Sequence, residues 1–350
     1  MRGHTFVGIV TMALIVVLAT ARFAVADTLD HVVFDQYPPY SRSSELVRRL
    51  LSPLNARRVR QTLARSGKAL REQLIDLAQE SFAIHIPPDA PANGYALLVF
   101  VPPWREARVP SDWIAALDRR HVAFVTASNS GNDADVMDRR IPLALLAAAN
   151  AVHRWRIDPT HVYVGGFSGG ARVALRIALA WPDVFNGVLL DAGSDAIGNA
   201  QIPLPPAELM LRFQQSTRVV YLTGALDDFH RTTDARSRDS LKEWCAFDLQ
   251  VESMPRVGHE LAGAASFGHA LDLLLESHVE TDPQALADCR ARVDRQLDAQ
   301  LVKARQRLAH GERGQARALV EQIDTRYGGL AAPRTIDLFT KVFGEKAHGP

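Results

Sequence analysis

Gly166-Phe167-Ser168-Gly169-Gly170 is the stretch of this chain whose residue types and spacing carry chemistry. An apolar run, His161 to Val164, leads straight into it. A helical pattern, Ala171 to Ala180, follows. A serine between glycines at a sharp strand-to-helix turn is a nucleophile elbow. The turn forces strained backbone angles on the serine, and its neighbours must lack side chains because strand and helix approach closely there. By composition alone the bare pattern arises by chance in roughly one chain in ten of this length. The strand before it and the helix after it make it specific. A serine hydroxyl is a poor nucleophile by itself and needs a base, which in turn needs an orienting acid.

Two downstream segments supply those types in the order Ser, acid, His. Arg218 to Asp228 reads as a strand, then Thr223-Gly224, then Asp227 and Asp228. Leu249 to Glu260 reads as a strand, then Val257-Gly258-His259-Glu260. His259 is the expected base. His153 and His161 precede the serine at the wrong ends of their elements, and His269 and His278 lie in the following helix. His230, beside the acid, reads as a surface or packing residue. Asp227, three residues past Gly224, is favoured as the acid, with Asp228 kept open. The amide of Gly169, at the start of the helix, is one donor for a developing oxyanion. A second must come from the loop after Tyr95–Val101. Pro102 and Pro103 have no N–H, so Trp104 is the first residue able to donate. Asn129, opening the Asn129-Ser130-Gly131-Asn132 turn, is a candidate for lining the pocket.

These loops need a scaffold that brings strand ends to one edge. Phe82, Ile84 and Ile86 alternate as in a strand. Tyr95 to Val101 is a continuous apolar run, suited to a strand buried on both faces. His121 to Thr126, Val188 to Leu190, Val219 to Thr223 and Leu249 to Ser253 are further strands. Helical patterns separate them at 138–155, 171–180, about 206–214 and about 235–246, with 264–277 following the last strand. The alternation predicts a mostly parallel sheet with helices on both faces, over residues 81–280. Leu46 to Leu54 and Leu70 to Ala78 recur at helical spacing, so 27–80 is expected to be an N-terminal helical segment. Residues 281–350 hold three helical patterns, a C-terminal helical appendage.

The run ASNSGN, DRRIPLAL and RIDPTHVYVGGFSGGARVAL, then YLTGALDDFHR, then VGHE, resembles bacterial α/β-hydrolases near the polyhydroxybutyrate depolymerases, feruloyl esterases and acetyl xylan esterases. The resemblance implies an α/β-hydrolase fold and a serine esterase without metal or cofactor. It also implies small acyl esters, plant-wall aryl esters or polyester oligomers as substrates. Similar proteins carry the acid soon after the Thr-Gly pair, often followed by Phe and a polar residue. Asp228-Phe229-His230-Arg231 fits that with one residue extra, which keeps Asp228 in play. The other readings are a non-catalytic binding protein on the same scaffold and a serine peptidase. Tyr327-Gly328-Gly329-Leu330 also resembles the tail of such proteins, with no role apparent in the sequence.

The ends and the composition set the context. Arg2 and His4, the apolar run Phe6 to Leu18 and Ala24-Val25-Ala26 before Asp27 read as a signal peptide over 1–26. The run is short for a membrane span, so an exported chain with no stable membrane insertion after cleavage is expected. Cys245 and Cys289 are the two cysteines, and pairing is favoured in an oxidising compartment. They and the histidines show no zinc spacing. A formal net charge of +1 gives no basic excess to suggest a nucleic-acid partner. Apolar residues at 47% supply ample core.

Overall fold

The computed structural model describes residues 27–276 and 282–343, so the expected signal peptide and His278 lie outside the described residues. The elements in order are β1 Asp27–Val32, α1 Ser43–Leu50, α2 Pro53–Arg65, β2 Phe82–Ile86, β3 Tyr95–Val101, α3 Ile114–Arg120, β4 Val122–Ala127, α4 Ile141–Arg154, β5 Ile157–Phe167, α5 Gly169–Ala180 and β6 Gly187–Asp191. They continue with α6 Ala207–Ser216, β7 Arg218–Gly224, α7 Asp228–Glu243, β8 Leu249–Met254, α8 Ala264–Leu275, α9 Pro283–Ala309, α10 Arg313–Tyr327 and α11 Ala332–Phe343.

The strands form one eight-stranded sheet in the order β1-β2-β4-β3-β5-β6-β7-β8. β1, β2 and β4 pair antiparallel, and every pair from β4 to β8 is parallel. Parallel strands need helical crossovers, which cover both faces. β3 shows the result: Leu97, Val99 and Val101 join one buried cluster with α4, α5 and α9, while Leu98 and Phe100 join another with Trp113, α3 and α8. The period of two along a strand sends alternate side chains to opposite layers, so a strand buried on both faces is apolar throughout. All seven residues of β3 are buried.

Three local outcomes differ from the sequence expectation. Leu70, Leu74, Leu77 and Ala78 do not form a helix. After Gly67 closes α2, the segment runs in irregular backbone to a short 3-10 turn at Leu77–Gln79. Its backbone groups are satisfied across the fold instead. Glu72 O accepts from Ser43 N at 3.0 Å, and Leu77 N donates to Tyr37 Oη at 2.8 Å. β1 is an added edge strand, mostly exposed and therefore without apolar alternation to read. The short helix α3 between β3 and β4 had no reading from the sequence.

The C-terminal helices share the main core. Leu286, Val293, Leu297, Leu301, Val320 and Tyr327 belong to the same buried cluster as β3 and α5. Asp324 of α10 accepts from the Leu54 amide at 2.9 Å and from the Ser52 hydroxyl, tying α10 to the first turn of α2. Gly328 and Gly329 find their reason here. Gly329 N donates to Leu204 O at 2.8 Å, and a Cβ on either glycine would stand 2.6 Å from backbone of the 204–206 segment. Cys245, just past α7, and Cys289 of α9, 44 positions apart in sequence, form a disulfide with Cα atoms 5.8 Å apart. Replacing both cysteines by serine should lower unfolding free energy by about 2–4 kcal/mol in a denaturant melt, because the loop closed by the bond becomes free in the unfolded chain. An unchanged melt would show that packing alone seats α9.

Candidate active site

Ser168 sits between β5 and α5 with φ +55° and ψ −120°. The left-handed region is costly for a residue with a side chain, and the surroundings hold it there. Its amide donates to Asp191 O at the end of β6, at 2.8 Å. The turn is also closed sterically. A Cβ on Gly166 would lie 2.4 Å from Gly170 C, and one on Gly170 would lie 1.9 Å from Val101 O at the end of β3. Strand, helix and neighbouring strand thus meet where only glycine fits.

Asp227 and His259 arrive from the loops after β7 and β8, beyond the intervening strand β6. The loops after β7 and β8 are linked by Ala225 N to Met254 O and Leu226 N to Val257 O, both at 2.9 Å. His259 Nδ1 donates to Asp227 Oδ2 at 2.8 Å, which leaves Nε2 to accept from Ser168 Oγ at 2.9 Å. Asp227 is buried and caps α7, its Oδ1 accepting from His230 N at 3.2 Å. Burial pushes its carboxyl up, but hydrogen bonds from the His230 side chain, the His230 amide and His259 outweigh that and hold it below the ordinary value. Asp228, the first residue of α7, faces solvent with 92% of its side chain exposed and pairs with Arg231 at 3.1 Å. The structure therefore brings Asp227 to the imidazole, and not Asp228.

The fold is that of an α/β-hydrolase. It follows from the parallel sheet, the elbow after β5 and the loops after β7 and β8 that bring Asp227 and His259 to it. No protein-family model matches the chain. A stretch of 54 residues is 50% identical to NocK of Nocardia uniformis subsp. tsuyamanensis, whose name marks it as a provisional esterase; the match spans 15% of this chain and 14% of that protein. Solved structures of similar shape include an S-formylglutathione hydrolase from Staphylococcus aureus, at 12% identity and TM-score 0.40 over 55% of this chain and 89% of that one. An esterase from Thermogutta terrifontis matches at 15% identity and TM-score 0.42, over 57% and 87%. A puromycin-hydrolysing peptidase from Mycobacterium tuberculosis matches at 16% and TM-score 0.40, over 55% and 36%. Likeness at this level says nothing about substrate.

The remaining residues singled out in the sequence divide. Gly169 opens α5, where first-turn amides have no partner within the helix. The Trp104 loop packs on the 129–132 turn: Asn132 N donates to Pro103 O at 3.0 Å and Asn129 N to Arg105 O at 2.7 Å. The buried Trp104 indole Nε1 has no hydrogen-bond partner among the described residues. Its indole packs near Phe100, with Arg108 over the ring at 4.7 Å. The member of the turn that reaches the elbow is Asn132, since a Cβ on Gly169 would meet its Oδ1 at 2.2 Å. Asn129 opens the same turn three residues earlier and is bound through its backbone to Arg105 and Arg139. His161 pairs with Asp158 at 3.0 Å and His269 with Glu252 at 3.1 Å, both away from Ser168.

Three supporting residues carried no signal in the sequence. Arg140 is buried and donates to Ser130 O at 2.9 Å and Pro102 O at 3.0 Å, clamping both loops beside Gly169. Burial first, then the nearby charge of Arg176, pulls its guanidinium down to about 10. Asp191 gives its carbonyl to Ser168 and its carboxyl to Ala262 N at 3.0 Å, joining the elbow to the His259 loop. Ala262 O accepts from Trp113 Nε1 at 2.7 Å. His230 is the third. Its Nδ1 donates to Asp227 Oδ2 at 2.8 Å, so it is a member of the site rather than a surface residue. Donor atoms of Asp227, His230 and His259 lie within 4.8 Å of one another. A cation bound through the two Nδ1 atoms would break both Nδ1–H bonds to Asp227.

Two outcomes test this construction. Gly170→Ala should destabilise the chain by about 1–3 kcal/mol, because Val101 O cannot move without breaking sheet pairing; an unshifted melting temperature would contradict the close approach. The Asp191 carboxyl is raised well above its ordinary value by burial. The folded chain then keeps a proton that the unfolded chain releases near pH 4. Stability therefore falls as pH rises from there to the folded value. Asp191→Asn should flatten that slope in melts taken across pH 4–8; an identical slope would show the loss lies elsewhere.

Proposed function

We propose that this protein is an exported serine hydrolase that cleaves carboxylic esters through an acyl-enzyme. The observation that carries the reading is the unbroken hydrogen-bond chain Ser168–His259–Asp227, at 2.9 and 2.8 Å, assembled from three strand ends. Ser168 Oγ attacks the ester carbonyl while His259 Nε2 takes its proton. Asp227 holds the imidazolium through Nδ1–H. The carbonyl oxygen becomes an oxyanion beside Gly169 N–H and Trp104 N–H. As the intermediate collapses, His259 returns the proton to the departing alkoxide, which leaves as alcohol. Water, activated by the same imidazole, then attacks the acyl-enzyme and releases the carboxylic acid with Ser168 restored. The reading calls for no metal or cofactor.

The rim is open to bulky ester groups. The His259 side chain is 40% exposed, and Leu226 and Phe229, at 67% and 63%, present apolar surface beside Asp227. Export rests on the signal-like first 26 residues and fits the Cys245–Cys289 disulfide, a bond that persists in oxidising compartments.

A fluorophosphonate probe should label the native chain and not Ser168→Ala. Absence of labelling would favour a non-catalytic scaffold. With p-nitrophenyl esters from acetyl to long acyl, plus methyl ferulate, Asp227→Asn should lose roughly 10³–10⁴ in kcat. Asp228→Asn should stay within about twofold, as expected for an exposed ion pair. Equal effects of the two would remove Asp227 from the proposed role.

A further inference from the structure

Asp227 has more partners than an orienting acid needs. Oδ2 accepts from His259 Nδ1 and from His230 Nδ1, each at 2.8 Å, while Oδ1 accepts the His230 amide. The two imidazoles lie face to face, ring centroids 4.2 Å apart and 9° from parallel. Phe167 also stacks on His259 at 5.1 Å, and Phe229 meets the edge of His230 at 5.0 Å. Only 12% of the His230 side chain is exposed.

We propose that His230 is a positioning residue for the Ser168–His259 pair, clamping the Asp227 carboxylate and requiring its own ring to be neutral when His259 takes the proton. This rests on the serine-hydrolase reading above. The clamp follows from counting bonds. One oxygen of Asp227 is committed to the helix cap and the other to two imidazole N–H groups. The carboxylate then cannot rotate away when His259 becomes charged. A lone surface carboxylate would have that freedom.

The neutrality requirement follows from charge. A His230 that donates through Nδ1 keeps a lone pair on Nε2. Protonating Nε2 puts a full positive charge on a ring stacked against the one that must become imidazolium in each half-reaction. At about 4 Å, repulsion between unit charges disfavours the doubly charged pair by on the order of tenfold even near water. The charged groups facing His230 are few. Asp227 and, one turn on, Asp234 face it from α7, and His259 faces it from the loop after β8. The elbow offers Phe167 and Ser168, neither charged. Asp228 and Arg231 pair with each other on the exposed side of α7.

The test uses the full chain and two variants, with melting curves for all three. His230→Phe keeps a stacked ring but has no donor. His230→Asn places an amide N–H close to where Nδ1 was, with no group that titrates. His230→Phe should lower kcat for a p-nitrophenyl ester by about tenfold with KM within about twofold, and His230→Asn should recover most of that loss. The acidic fall of kcat/KM should follow two protons in the native enzyme and one in His230→Asn. A native kcat and a native acidic limb in either variant would overturn the proposal. So would an Asn variant that melts like the native chain yet is as slow as the Phe variant. If no ester is hydrolysed at all, NMR titration of ¹⁵N-labelled histidine still decides the coupling. His259 should respond to His230 protonation in the native chain and lose that response in His230→Asn. Identical His259 curves would refute it whatever the activity.

Discussion

The site depends on one strained residue held by its neighbours. Ser168 occupies φ +55°, a region that costs a side-chain-bearing residue of order 1–3 kcal/mol. It stays there because β5 and α5 close on each other at Gly166 and Gly170, and because Asp191 O takes its amide. That geometry lifts the hydroxyl off the sheet edge, clear of its own backbone and within reach of a base from elsewhere. Relaxing the turn would let the serine lie back into ordinary helix or strand angles, and no later element could restore the line to His259.

Around that point the fold ties the loops to each other rather than leaving each to find its place. On one side Arg140 bonds the carbonyls that follow β3 and β4, and the two loops exchange backbone bonds at Asn129 and Asn132. On the other side the acid and histidine loops pair through Ala225 and Leu226, and Asp191 with Trp113 fixes Ala262. Both Arg140 and Asp191 are charged types buried without a charged partner in hydrogen-bonding contact among the described residues. Each lies where it holds loop backbone, so the cost of desolvation is spent on aligning the site.

The C-terminal helices extend this support. α10 reaches α2 through Asp324, α9 is bonded to the end of α7 by the disulfide, and the Gly328-Gly329 turn lies on the 204–206 segment. α7 is the helix capped by Asp227, with His230 in its first turn. Its two ends are therefore anchored by different means, a carboxylate cap at the site and a covalent bond at the far end.

Much of this was legible in the residues alone. The alternation of apolar strands and amphipathic helices fixed the layer architecture, because each pattern buries its apolar face in only a few ways. The glycines around Ser168 marked the elbow, and the order of Ser168, the Asp pair and His259 marked the strand ends. What the residues left open needed geometry. Asp227 and Asp228 are adjacent, and composition cannot rank them. Helix phase does, since Asp227 at the cap, with non-helical angles, turns its carboxylate inward, while Asp228, the first helical residue, points to solvent. His230 returns to the inner face because it lies three residues after the cap, about one helical turn. The leucines at 70–77 carry helical spacing yet run irregularly, because their backbone bonds are met by α1 and Tyr37. Local pattern decides which faces are apolar; only the folded chain decides which partner satisfies each polar group.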